Sequence, residues 1–141
     1  MNNAAHRRGA SHGTTLVELM IVVAMVAILG MIAYPSYLQH LVRVRRTEAT
    51  AALVRIATNQ ERFYLQNRTY TSDLAQLGFP DLQTESGYYL ISVPVANSLD
   101  FRVVAVPAPG SSQIDDTDCQ QFSIEDQSVR LATPDPEGRC W

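Results

Sequence analysis

Leu16 to Tyr34 is a run of nineteen residues with one charged member, Glu18. As an α-helix rising about 1.5 Å per residue it reaches about 28 Å, which matches the hydrocarbon core of a bilayer. A helix that is apolar all round has to be surrounded by lipid or by other helices, so no other feature constrains the chain as strongly. The run is too long for the apolar core of an ordinary cleaved signal peptide, and no small-x-small cleavage pattern lies on its far side. The segment before it, "MNNAAHRRGASHG", is short and polar and carries Arg7 and Arg8. Positive charge stays on the cytoplasmic side, so this end is expected inside and the bulk of the chain outside.

Glu18 admits two readings. A carboxylate two residues inside the apolar boundary can still reach water, which is compatible with a plain single-pass anchor. If the acid is ever held deep in lipid or protein, an unpaired charge there costs a few kcal/mol or more. A buried Glu18 needs a cation, and the apolar run supplies none.

After Pro35 the apolar pattern thins without stopping. Leu38, Val42, Ala49, Ala52, Leu53, Ile56 and Phe63 recur at spacings of three, four and seven, which is one face of an amphipathic helix. Arg43, Arg46, Glu48, Arg55, Gln60 and Glu61 are read on its other faces. The pattern predicts one long helix, Thr15 to Gln66, with a kink or local loosening where Pro35 removes a backbone donor. The "RVRR" cluster (Arg43, Arg45, Arg46) has two open readings: contact with phospholipid heads or acidic neighbours, or a solvated helix face.

From Asn67 to Gly87 turn formers dominate around one apolar cluster, Leu74, Leu77 and Phe79, with a helical turn capped by Ser72 or Asp73. "SGYYLISVPV", "DFRVVAVPA", "CQQFSIED" and "SVRLAT" then read as four strands, the last two turning at Asp126–Gln127. Pro94 and Pro107 cannot donate to a ladder and mark strand ends or an exposed edge. The expected head is α+β, a helix laid across a four-stranded antiparallel sheet. Large apolar residues are few after Leu65, so the helix face has to complete the core.

Two cysteines, Cys119 and Cys140, lie near the C-terminus. An even pair in a small domain beyond a membrane segment points to a disulfide in an oxidising compartment. Closing a loop of about 22 residues is worth about 3 kcal/mol in the chain-entropy model. From Leu65 onward four arginines face eleven acids, whereas Gln39 to Tyr64 carries five arginines against Glu48 and Glu61. An acidic head is a poor collector of phosphates, which argues against nucleic acid as its partner.

The stretch "G-TTLVELMIVVAMVAILGMIAYPSY" resembles the N-terminal signature of type IV pilins and pseudopilins. The resemblance implies a leader, 1–13, ending in Gly13, cut by a dedicated prepilin peptidase between Gly13 and Thr14, with the new Thr14 amine then methylated. It implies that Glu18, fifth in the mature chain, pairs in the filament with the Thr14 amine of a neighbouring subunit, and that Pro35 is the helix-kink proline. The chain departs from the family at its first mature position, which is Thr14 where Phe is usual. The implied organisation is a hydrophobic helix over 14–37, an amphipathic half over 38–66, and a head over 67–141. The C-terminal region of that head, 119–140, is bounded by the Cys119–Cys140 disulfide. "QNRTYTSDLAQLGF" and the final "CW" resemble PilE-type minor pilins.

The function so implied is structural. A single-pass inner-membrane subunit, head in the periplasm, is extracted into an extracellular pilus that serves assembly, twitching motility or adhesion. Its partners would be other pilin subunits, the peptidase, an inner-membrane assembly platform, and lipid before assembly. The alternatives on the same scaffold are a competence pilin that binds DNA and a pseudopilin of a type II secretion system. Asp115, Asp116 and Asp118 lack the alternating oxygens of a calcium loop and read as an acidic surface turn rather than a metal site. Asn67-Arg68-Thr69 is a glycosylation sequon by pattern alone. No cofactor motif and no catalytic constellation is visible: beyond the leader, His40 is the single histidine, and no nucleotide loop occurs.

Overall fold

A computed structural model describes residues 14–141. The expected leader, 1–13, including Gly13, lies outside the described residues. One helix, α1 (Leu16–Asn67), precedes four strands: β1 (Tyr89–Ala96), β2 (Phe101–Pro107), β3 (Gln121–Glu125) and β4 (Arg130–Thr133). The chain divides into two units, with the boundary between Leu38 and Gln39.

In the first unit every described residue is exposed, and α1 continues through Pro35. The apolar side chains here are exposed; Leu16 and Met31 are 74% and 77% accessible. The segment has a mean hydropathy of 2.7 over its most apolar window, enough by length and composition for a membrane span.

The second unit is a two-layer α+β head. Its sheet is antiparallel, with strands in the order β1-β2-β3-β4. Side chains alternate along β2, so Phe101, Val103 and Ala105 are buried while Arg102 points to solvent. From α1, Ala49, Leu53, Ile56 and Gln60 are buried against this layer, together with Tyr89, Ile91, Phe122 and Ile124. Each large apolar side chain removed from water in this way contributes about 1.5–3 kcal/mol. The helix ends at Asn67, and Arg68 takes a left-handed conformation (φ 59°) as its amide returns to the Tyr64 carbonyl at 2.8 Å.

Asp73 caps the turn that follows: its carboxylate accepts from the Ala75 amide at 3.0 Å and the Gln76 side chain at 2.8 Å. Leu74 and Leu77 are thereby folded under the loop. Pro107 ends β2. Pro94 instead lies within β1, at a register shift between Ser92 and Val95. An edge strand tolerates the missing donor there. Near its start β1 is covered by residues 82–84, where the Ile91 amide reaches the Leu82 carbonyl at 2.7 Å.

Two polar residues read on the outer faces of α1 are inside. Gln60 is fully buried because its amide clamps the backbone of one residue: Nε2 donates to the Thr71 carbonyl at 2.6 Å, and Oε1 accepts from the Thr71 amide at 3.1 Å. With donor and acceptor both satisfied, the cost of burying the amide is offset. Arg46, the second, is half-buried.

Candidate functional site

At the N-terminus of α1 the Thr15 carbonyl accepts the first helical hydrogen bond, from Leu19 at 3.1 Å. The Thr15 hydroxyl accepts from the Glu18 amide at 3.2 Å. Thr15 is therefore the N-cap, and the spacing Thr-x-x-Glu is that of a capping box. Thr14 lies before the helix, and both Thr14 and Glu18 are exposed. Charge singles out Glu18 in the sequence; Thr15 carries no such mark, although the Thr-x-x-Glu spacing is readable there.

In the head, Arg46 makes a forked pair with Asp116, Nε and Nη2 donating to the two carboxylate oxygens at 2.7 and 2.6 Å. The Arg46 side chain is 14% accessible and that of Asp116 2%. The hydrogen bonds to Asp116 hold the Arg46 pKa above its ordinary value, against the opposing effect of burial. Arg45 is committed as well: it stacks over Tyr88, 4.2 Å from the ring centroid, and donates to the Ser112 hydroxyl at 2.6 Å. Neither reading of the "RVRR" cluster holds for these two, since both serve the head's own packing. Arg43 alone of the three is exposed.

The acidic cluster is divided in the same way. Asp116 is an internal partner, whereas Asp115 and Asp118 are exposed, with Asp118 4.0 Å from Arg46. A cleft of about 520 Å³ beside the disulfide is lined by Asp115, Asp118, Asp135 and Glu137, but also by Arg43, Arg46 and Arg139. Among the described residues no group of three or more His, Cys, Asp or Glu side chains is placed to hold a metal ion.

Cys119 and Cys140 form a disulfide with a Cα–Cα distance of 5.7 Å. The bridge brings Trp141 onto the core, where its ring meets Phe122 edge-on and its indole N–H donates to the Leu131 carbonyl at 2.8 Å. Arg130 lies over the Trp141 ring, 5.5 Å from its centroid. The outer edge of β4 is thus short and partly occupied, which blunts it as a template for another strand.

A family model described as "Type IV minor pilin ComP, DNA uptake sequence receptor" matches residues 35–123, well over half of the chain. The chain is a type IV pilin. It is 30% identical over 133 residues to the type IV major pilin protein PilA of Myxococcus xanthus; the match takes in 91% of this chain but 60% of that relative's length. It is 31% identical over 99 residues to the type IV wide pilus major component PilA4 of Thermus thermophilus, covering 70% of this chain and 76% of the relative. Its fold is also that of the non-core minor pilin PilV of Neisseria meningitidis. There the TM-score is 0.55 at 24% identity, over 70% of this chain and 92% of PilV.

Of the pilin's four arginines from Leu65 onward, two are paired with carboxylates. Arg102 is paired with Glu125 at 2.7 Å across β2 and β3, and Arg139 is paired with Glu137. Arg130 is on Trp141, and Arg68 is at the end of α1. Tyr70, next to that helix end, stacks on Tyr64 at 4.7 Å and donates to Glu61 at 3.1 Å. Burial, and then the hydrogen bond to Glu61, push its phenol from the ordinary 10.0 up to about 12.

Proposed function

We propose that this pilin is a minor structural subunit of a type IV pilus. In this reading the leader is cut between Gly13 and Thr14 by the prepilin peptidase, and the Thr14 amine is methylated. The mature chain waits as a single-pass inner-membrane protein, N-terminus cytoplasmic and head periplasmic. An inner-membrane platform then transfers it into a filament of pilin subunits. Lipid around the apolar half of α1 is exchanged there for neighbouring helices, and Glu18 is neutralised by the Thr14 amine of a neighbour. Pro35, which has no N–H for the Met31 carbonyl, is where α1 bends to fit.

One observation carries the reading: on a chain of this family, the first turns of α1 are apolar, exposed throughout, and charged only at Glu18. Replacing Glu18 with Ala tests it. The variant should still be inserted and shortened, yet be depleted from sheared fibres; incorporation equal to the natural chain would remove the pairing step.

A DNA-binding role has one observation in its favour, the description of the matching family model. The carboxylate partners of Arg102 and Arg139 weigh against it. Retardation of DNA by the full-length pilin at low salt, weakening steeply as salt is added, would favour that role over a purely structural one.

A further inference from the structure

We propose that a shallow groove between α1 and Trp141 docks a second copy of this chain, whose exposed turn at Asp115 and Asp118 brings its carboxylates to Arg55 and Arg130. This rests on the filament reading above and names one contact within it. The groove has a volume of about 540 Å³, and its lining includes Arg55, Arg130 and Trp141 but no carboxylate. That is the reverse of the head around it, where from Leu65 onward eleven acids outnumber four arginines. Both groove arginines are held without being neutralised. Arg130 lies over Trp141 at 5.5 Å and Arg55 over Phe79 at 4.6 Å from the ring centroids. A ring face attracts a guanidinium but carries no net charge, and it leaves the donors at the guanidinium's edge for a carboxylate. Among the described residues neither takes part in an ion pair, unlike Arg46, Arg102 and Arg139.

The floor of the groove is suited to being covered. Thr47, Thr50 and Thr58 donate their hydroxyl protons to carbonyls of α1 itself, those of Arg43, Thr47 and Val54, at 3.3, 3.1 and 2.9 Å. A partner closing over them strands no donor, and Val54, 38% accessible, would leave water. Charge favours a second copy as that partner. Asp115 and Asp118 are exposed, and Asp118 reaches Arg46 only at 4.0 Å because Asp116 takes that guanidinium at 2.6 Å. These carboxylates repel those of any head packed beside them unless a cation meets them, and the groove supplies two. None of the groove's residues belongs to the turn. The contact is therefore heterologous: each copy uses its turn on one neighbour and its groove on another, so the contact can repeat along a fibre instead of closing as a twofold pair. A subunit joined in this way enters a fibre in runs, not singly.

The test is self-association of the full-length chain in detergent at low salt, followed by sedimentation velocity. Arg55→Glu with Arg130→Glu makes both patches acidic; Asp115→Arg with Asp118→Arg makes both basic. Either variant alone should associate about tenfold or more weakly than the natural chain, since like charges then face each other across the contact. An equal mixture of the two should regain the natural affinity to within about threefold, because every groove then meets a turn of opposite sign. Recovery on mixing also shows that neither pair of changes acts by unfolding the head. A natural chain that stays monomeric, variants that associate as it does, or a mixture that does not recover would each overturn the inference. So would loss of DNA retardation in the arginine variant with self-association intact, which would assign the groove to nucleic acid. A chain that self-associates by this groove yet is absent from sheared fibres would instead remove the filament reading and leave the contact standing.

Discussion

The Arg46–Asp116 pair joins α1 to the segment between β2 and β3, seventy positions away in sequence, and its removal is predicted to be lopsided. Arg46→Met leaves a carboxylate that is 2% accessible. Breaking a buried pair in that way costs about 3–5 kcal/mol. Asp116→Asn keeps one acceptor oxygen, and the guanidinium it frees is 14% accessible with Asp118 4.0 Å away. That loss should be about 2 kcal/mol, the worth of a charge-assisted hydrogen bond. The two changes should not add: the double variant should cost about 2 kcal/mol less than the sum, as expected of groups in direct contact. In a domain of about 100 residues each kcal/mol moves the melting point about 4–8 °C, so Arg46→Met should lower it by at least about 12 °C. Urea unfolding of the detergent-solubilised chain gives the free energies, with Trp141, the sole tryptophan, packed on Phe122 as the reporter. An Arg46→Met loss below about 1 kcal/mol, or strict additivity, would refute the claim that this pair organises the head's interior.

Two further outcomes are expected of the head. Cys119→Ser opens a loop of sequence separation 21 and should cost about 3 kcal/mol; an unchanged urea midpoint would mean the bridge is idle. Tyr70 should ionise near pH 12 instead of 10.0, and Tyr70→Phe should abolish that step in the phenolate absorbance. The sign follows from linkage: a raised pKa in the folded state means the neutral phenol is favoured. The contribution is thus complete below about pH 10 and is lost as pH rises through about 12. A Tyr70→Phe variant whose phenolate absorbance near pH 12 matches that of the natural chain would contradict it.

The head's architecture was legible because each of its local signals agreed. The apolar spacing after Pro35 gave the packed face of α1, period-two alternation gave the strands, and Asp126–Gln127 gave the β3–β4 turn. Ala49, Leu53 and Ile56 were placed inside by their apolarity, and they are inside. Arg46 and Gln60 were placed outside by their polarity. Yet the series 46, 49, 53, 56, 60 runs at spacings of three and four, so both belong to the same arc as the apolar residues between them. Geometry alone would have included them; a hydrophobicity criterion removed them.

The amino-acid order by itself determined the apolar rod with its one acid, the amphipathic continuation, the strand sequence and the two cysteines within reach of a bridge. These follow from steric period and water's exclusion of apolar surface, which act between near neighbours. Which polar groups are interior was decided only in three dimensions. Arg46 is internal because Asp116 arrives from beyond β2, and Gln60 because the Thr71 peptide folds back onto it. A buried polar atom is tolerable only once its partner has arrived, and that partner comes from a remote stretch of chain whose own pattern does not announce it.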